Sequence, residues 1–173
     1  NNEVIVQFDE PLFVKDIDSK ILSLIKPVYD SLCSVSSNIK VVVTTYFEHS
    51  NEATKILVNT PIWALGLDFI YGNKNIEALE FIKNSNKVLI AGVVDGRNIW
   101  KSNFNDKLNL LELISKTIKK ENLIVSTTCS LLHVPFCLKY EDNLNKEIKS
   151  WLAFAFEKLN ELSLISKRFF NQN

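Results

Sequence analysis

Five short runs rich in β-branched and aromatic residues recur along this chain, and they limit its fold more than any other sequence feature. They cover residues 4–8, 41–47, 63–70, 88–94 and 123–127. Four of the runs are almost continuously apolar, which is typical of strands buried on both faces of a parallel sheet. The pattern therefore predicts five buried strands, separated by segments long enough for crossover connections.

The segments between the runs carry apolar residues at helical spacing. The stripe over residues 17–32 predicts a helix that Pro27 kinks or divides. Shorter stripes over residues 76–82 and 108–118 predict two further helices, whereas residues 51–58 are too few for a decision. The helices thus alternate with the predicted strands.

The last helical stripe is the clearest of all. It extends from Leu144 to Leu162, with Lys and Glu on the side opposite the apolar residues. Asp142 or Asn143 stands at its start and has the side chain that an N-cap needs. We therefore expect one long C-terminal helix.

Alternation of strand and helix predicts a parallel sheet of right-handed βαβ units, either doubly wound or a barrel. Two features favour the barrel. No Gly-rich phosphate loop follows the first strand, and polar residues gather after every strand, where a (βα)8 barrel has its functional rim. These rim candidates are Asp9, Glu10, Thr44, Thr45, Tyr46, Asp68, Asp95, Arg97, Asn98, Cys129, Ser130 and His133.

The number of strands falls short of a closed barrel, since this architecture requires about eight. We therefore expect an α/β fold that is a partial (βα)8 TIM barrel, with five parallel strands and outer helices. Such an open arc has two unpaired edges and a partly uncovered apolar face, which should promote association.

Charge and cysteine content disfavour several classes of protein. Twenty basic and twenty acidic side chains give a formal net charge of zero, so nucleic-acid binding is not expected. The apolar runs are far shorter than the roughly 20 residues of a membrane helix. Three cysteines suggest no disulfide framework and favour a reducing compartment, the cytoplasm. The chain starts at Asn1, contains no Met and has no signal-like segment, so we expect a piece of a longer protein.

Cys129, His133 and Cys137 form the most suggestive candidate metal site, because thiolates and imidazole are ligands that zinc accepts. Pro135 interrupts any helix that would align them, and no fourth ligand is near in sequence. The residues favour buried structural cysteines with a hydrogen-bonded histidine. A nucleophilic dyad of Cys129 and His133 lacks an orienting third group.

The carboxylates after the strands are candidates for acid–base chemistry. Asp9 and Glu10 are adjacent, so one should point into the barrel mouth and the other outward. Asp68 could be a rim ligand or a cap for backbone amides of the next loop, and the sequence does not choose between these roles.

Arg97 lies in a tight turn after the fourth run, in a segment that lacks the spacing of a phosphate-binding P-loop. Its planar fork could bind an anionic group, or it could pair with Asp95 or Asp68 and fasten two strand ends together. We expect the pairing, because buried charges are normally matched.

Motifs at these strand ends and on the last helix resemble the amino-terminal barrel of cobalamin-independent methionine synthase over essentially the whole chain. Each motif is weak alone, but six occur in the family's order. They are Asp9-Glu10-Pro11, Thr44-Thr45-Tyr46-Phe47, Gly66-Leu67-Asp68, Gly92-Val93-Val94-Asp95-Gly96-Arg97-Asn98-Ile99-Trp100, Cys129-Ser130-Leu131-Leu132-His133-Val134-Pro135 and Glu147-Ile148-Lys149-Ser150-Trp151-Leu152-Ala153-Phe154-Ala155.

The resemblance implies two (βα)8 barrels placed face to face, with residues 1–173 as the C-terminal portion of the first. It implies transfer of the methyl group of polyglutamylated 5-methyltetrahydrofolate to homocysteine, whose sulfur binds zinc. The family's zinc ligands lie in the second barrel, against which this chain would pack, and its best-known folate contacts lie near the start of the first. Both are absent from this chain.

The resemblance consequently assigns no catalytic, cofactor-binding or metal-binding residue to this chain. The loop with Cys129 and His133 is not the family's zinc site. Asp9, Asp68, Asp95 and Arg97 are expected to have structural or supporting roles at the rim.

Two alternatives remain open. The chain could be a noncatalytic barrel scaffold that only holds a partner. It could also belong to a related stand-alone barrel enzyme, a decarboxylase or methyltransferase, which would need its own acid or base here.

Overall fold

The computed structural model describes residues 2–171 of the chain. Five strands form one sheet in the order β1-β2-β3-β4-β5, and every pairing is parallel. The prediction of five parallel strands is confirmed. The strands are β1 (Val4–Asp9), β2 (Ile39–Thr44), β3 (Ala64–Asp68), β4 (Val88–Val94) and β5 (Leu123–Thr127).

Helices follow the strands in the order expected from the apolar stripes. They are α1 (Ser19–Cys33), α2 (Asn51–Leu57), α3 (Asn75–Lys83), α4 (Phe104–Ser115), α5 (Lys146–Trp151) and α6 (Ala155–Phe169). Among residues 2–171, no helix is both long enough and apolar enough to cross a membrane.

Helix α1 is continuous through Pro27, so of the two expected effects of this proline, a kink or a division, the division is wrong. Asp18 caps its N-terminus by accepting a hydrogen bond from the Ile21 amide. Ile25 and Tyr29 on either side of the proline are buried in the core. Tertiary packing of this apolar face therefore outweighs the local cost of proline.

The C-terminal segment forms two helices, so the prediction of one long helix is wrong. Residues 152–154 separate α5 from α6, and Leu152 makes an antiparallel bridge with Trp100. The Ala153 amide donates to the Ile99 carbonyl at 2.8 Å. The chain leaves the helix because the loop after β4 takes these backbone hydrogen bonds instead.

The cap of this segment also differs from the prediction. Asn145 accepts a hydrogen bond from the Glu147 amide at 2.8 Å and is the N-cap of α5. Asp142 and Asn143 precede it in the loop.

The sequential strand order places the helices on one face of the sheet, because right-handed crossovers in one direction all pass over the same side. This arrangement is that of a barrel wall and not of a doubly wound sheet. The side chains that face the helices are apolar: Phe8, Val41, Val43, Leu65, Leu67, Leu89, Ala91, Val93, Leu123 and Val125.

The opposite, concave face carries smaller and more polar side chains. They alternate with the core residues along each strand. They are Gln7, Asp9, Val42, Thr44, Ala64, Gly66, Ile90, Gly92, Ile124 and Ser126.

Gly92 on β4 provides a test of this packing. A Cβ atom there would lie 2.9 Å from both the Leu67 carbonyl oxygen and the Thr128 Cα atom, which are backbone atoms on opposite sides. Neither can move without shifting a neighbouring segment, so we expect Gly92→Ala to lower the free energy of unfolding by about 1–3 kcal/mol. Chemical denaturation measures the change. Ser163→Ala, at an exposed position of α6, is the control and should leave the free energy of unfolding nearly unchanged. Equal stability of the two variants would contradict the close packing around Gly92.

Candidate functional site

The polar residues predicted from the sequence lie along one edge of the sheet, because all five strands end there. Asp9 and Asp68 are the last residues of β1 and β3. Asp95 directly follows β4, and Cys129 follows β5. We call this edge the C-terminal rim.

Asp9 and Glu10 point to opposite sides of the sheet, as expected. Asp9 Oδ1 accepts hydrogen bonds from Thr44 Oγ1 at 2.6 Å and from Gln7 Nε2 at 2.8 Å. Glu10 Oε1 accepts from the Tyr29 hydroxyl of α1 at 2.8 Å, in the helix layer. Asp9 alone of the two is therefore available to the concave face.

A cavity of about 290 Å³ lies on the concave side of the rim. Its lining includes the side chains of Asp9, Thr44, Tyr46 and Ser126. Partial burial would raise the pKa of Asp9, but the hydrogen bonds that it accepts outweigh this effect and lower the pKa. Asp9 is thus held as a carboxylate that organises hydroxyl groups, and its low pKa makes it a poor general acid.

Asp68 caps backbone amides of the next loop, which is one of the two roles left open by the sequence. Its Oδ1 accepts from the amides of Ile70 and Tyr71 at 2.8 and 3.0 Å. Its Oδ2 is buried and has no hydrogen-bond partner among the described residues. Burial raises the pKa of Asp68 and the two amides oppose the rise, while nearby Asp95 adds to it.

Asp95 is the hydrogen-bond centre of the loop after β4. Its Oδ1 accepts from the amides of Arg97 at 2.8 Å and Asn98 at 3.3 Å. Its Oδ2 accepts from the Tyr71 hydroxyl at 2.8 Å and from Asn98 Nδ2 at 2.6 Å. Both carboxylate oxygens are therefore satisfied without a cation.

Arg97 is not paired with Asp95 or Asp68, so the predicted ion pair is wrong. None of its nitrogens lies within salt-bridge distance of a carboxylate in residues 2–171. The Cζ atom lies instead 4.5 Å from the centroid of the Tyr71 ring and 5.2 Å from that of Phe47. The prediction assumed a buried guanidinium, whereas Arg97 is exposed.

Cys129, His133 and Cys137 do not converge. Cys129 is buried, His133 is exposed with its ring edge-on to Phe47, and Cys137 Sγ lies 3.4 Å from Glu157 Oε1. His133 was expected to be a hydrogen-bonded histidine. In the structure it is exposed and packs against the ring of Phe47. Within residues 2–171, no three His, Cys, Asp or Glu side chains are placed to hold a metal ion. These residues do not fit a zinc ion.

Lys158 on α6 is the rim-supporting residue that the sequence did not reveal. The side chain is fully buried, and Nζ donates to Asn98 Oδ1 at 3.2 Å and to the Trp100 carbonyl at 3.1 Å. Burial lowers the pKa of this amine, with Glu161 opposing the effect. The helical stripe predicts that the lysines of this segment lie on the solvent side. Lys158 is buried instead, and the break of the helix at residues 152–154 is not evident from the sequence.

The environment of Asp68 predicts how the stability of the folded chain depends on pH. Its raised pKa means that the folded chain keeps this proton to higher pH than the unfolded chain, so ionisation costs stability as pH rises. Asn resembles the protonated carboxyl and does not ionise. We expect the free energy of unfolding of Asp68→Asn, relative to the wild type, to increase from about pH 4 to about pH 7, by about 1.4 kcal/mol for every tenfold difference between the acid dissociation constants of the folded and unfolded chains.

Asp9→Asn is the matched control, because the pKa of Asp9 is lowered. This carboxylate contributes its full stabilisation above its unfolded-state pKa and loses it as pH falls through the lower folded-state pKa, so the stability of the variant relative to the wild type should stay nearly constant from about pH 4 to about pH 7. Parallel pH profiles for the two variants would contradict the assigned environments.

Because the two cysteines lie apart from His133, the structure predicts weak metal binding at these residues. We expect residues 1–173 not to bind zinc tightly, because the ligand set is dispersed. Elemental analysis of the purified chain is the measurement. About one zinc per chain, lost in Cys129→Ser or Cys137→Ser, would contradict the structure.

Comparison with known proteins assigns the chain to a family. Residues 1–119 match the sequence profile of the family described as cobalamin-independent synthase, N-terminal domain. The 5-methyltetrahydropteroyltriglutamate–homocysteine methyltransferase of Desulforamulus reducens is 53% identical over 173 residues, which are 100% of this chain and 22% of that protein. The enzyme of the same name from Catharanthus roseus is 41% identical over 164 residues, 94% of this chain and 21% of its own.

Solved structures agree on the fold. A B12-independent methionine synthase from Shewanella sp. W3-18-1, in complex with selenomethionine, superposes with a TM-score of 0.71 at 18% identity, covering 97% of this chain and 49% of that one. This chain thus spans about a fifth of the length of the curated relatives and about half of the solved neighbour. The chain belongs to the family of cobalamin-independent methionine synthase N-terminal domains.

Proposed function

We propose that this chain is the C-terminal portion of the N-terminal (βα)8 barrel of a methyltransferase that makes methionine without cobalamin. The methyl donor is 5-methyltetrahydropteroyltriglutamate and the acceptor is homocysteine. The observation that carries the proposal is 53% identity to a methyltransferase of that name over 100% of the chain.

The role of this part of the enzyme is support and not chemistry. Three aspartates of the rim hold the structure: Asp68 caps the next loop, Asp95 holds its own loop, and Asp9 accepts hydrogen bonds from Thr44 and Gln7. Cys129 is buried, and burial raises the pKa of its thiol, which makes it a poor nucleophile. A stand-alone barrel enzyme would need an acid, base or nucleophile that is free of such structural roles.

The composition of the loops after β4 and β5 is evidence for a contact with a second barrel. They and the adjoining α5 expose large apolar side chains, which mark contact surfaces when they cluster. These side chains are Trp100, Leu132, Phe136, Tyr140 and Trp151.

Zinc, which the family resemblance implies for the reaction, is held by residues outside this chain, because the described residues do not fit it. Three free cysteines in the chain are consistent with a reducing compartment, and we place the enzyme in the cytoplasm. Its product makes it an enzyme of methionine biosynthesis.

The test is methionine formation by the full-length gene product, supplied with homocysteine and the triglutamylated donor in the absence of cobalamin. We expect turnover by the full-length protein and none by residues 1–173 alone. Absence of turnover by the folded, zinc-loaded full-length protein would favour the noncatalytic scaffold. Turnover by residues 1–173 would show that the chemistry lies in this chain.

A further inference from the structure

The exposed arginine of the rim is held between aromatic rings and has no acidic partner in residues 2–171. Arg97 lies over Tyr71 and Phe47, and the ring of His133 lies edge-on to Phe47 with a centroid distance of 5.5 Å. We call these four residues the Arg97 clamp. Within the described part of the chain, the guanidinium neither forms an ion pair nor donates a hydrogen bond, although stacking on the rings restrains its position.

The loop that carries Arg97 is fixed from beneath. Asp95 accepts the Arg97 amide and the Tyr71 hydroxyl, so one carboxylate positions both the arginine backbone and the ring under its side chain. Lys158 holds Asn98, the next residue of the loop, from α6. The guanidinium is therefore presented by a rigid support, which reduces the entropy that a ligand would have to overcome.

Phe47 adds a second, independent sign of a functional site. Its φ is 83°, in the left-handed region, where a bulky non-glycine residue is strained. Such strain persists where the surroundings impose it and is concentrated at ligand clamps. Here the strained backbone places the phenyl ring over the guanidinium on one side and against His133 on the other.

An open cavity of about 400 Å³ lies against Phe47, Arg97 and His133. Its aromatic walls suit the carbon chain of an organic ligand, and the planar guanidinium matches the two oxygens of a carboxylate. The nearby carboxylates do not compete for it, because Asp95 is fully hydrogen-bonded and Asp68 is buried as a cap.

We propose that the Arg97 clamp binds a carboxylate of the glutamyl chain of the methyl donor. This assignment of the ligand rests on the proposed function. Homocysteine is the less suitable ligand, because its ammonium group would require an acceptor that Asp95 and Asp68 cannot supply. The amines of a glutamyl chain are acylated, so the chain presents carboxylates without a cation.

The experiment uses the full-length protein and, as the probe, N-acetylated γ-linked triglutamate, which lacks the pterin but keeps every amine acylated. Calorimetry measures its dissociation constant, and steady-state kinetics measures KM and kcat for donors with one and three glutamates. We expect Arg97→Lys, which keeps the charge and loses the fork, to weaken triglutamate binding about tenfold. The KM of the triglutamylated donor should rise by a similar factor, with kcat and the KM of homocysteine within about twofold of the wild type.

Arg168→Lys is the matched control, because Arg168 is the other arginine of the chain and is exposed near the end of α6. This variant should leave the dissociation constant of triglutamate, the KM of the triglutamylated donor, the KM of homocysteine and kcat unchanged. Since Arg97 is exposed, its substitution should not unfold the protein, and circular dichroism verifies this.

Equal triglutamate affinity of Arg97→Lys and the wild type, or no binding to the wild type, would overturn the proposal. Inorganic phosphate that displaces triglutamate at equal concentration would also overturn it, by showing an unspecific oxyanion site. Failure of the proposed function is distinct: the wild type would then form no methionine, whatever its affinity for triglutamate.

Discussion

Parallel pairing of strands in strict chain order is the constraint on which the other features depend. It brings all five strand ends to one edge, and it turns the crossover helices α1, α2, α3 and α4 toward one face. The apolar half of each strand is then buried under the helices, and the other half forms a concave face of small and polar side chains. Residues far apart in sequence, such as Asp9, Asp68 and Asp95, lie on the same rim for this reason.

In the loop after β4, a connected network of hydrogen bonds surrounds the buried carboxylate of Asp95. Asp95 receives four hydrogen bonds from Tyr71, Arg97 and Asn98, and Lys158 reaches Asn98 from the C-terminal helix. A fully satisfied network in a low-dielectric environment rigidifies the segments that it joins. Here it joins the loops after β3 and β4 to α6, so the rim is stiff although it consists of loops.

The strands were predictable because their apolar runs record burial on both faces, which is a local property of the sequence. The opposition of Asp9 and Glu10 was predictable from alternation along the strand. The break before α6 was not, because it depends on a bridge between Leu152 and Trp100, two residues that are distant in sequence. The predictions for Arg97 and Lys158 were wrong for the same reason. The exposure of Arg97 and the burial of Lys158 depend on how separate loops and helices pack against each other. The motifs at the strand ends identified the family correctly, since they lie at the rim that the fold constructs.

We propose that these five strands are one continuous part of a closed barrel in the full-length protein. Amide hydrogen exchange of the full-length protein tests it most directly, at the amides of β1 and β5 that have no partner strand in residues 2–171. A closed barrel pairs both edges, so we predict that these amides exchange about as slowly as those of the central strand β3. Fast exchange at both edges, with slow exchange at β3, would show an open sheet and would contradict the account.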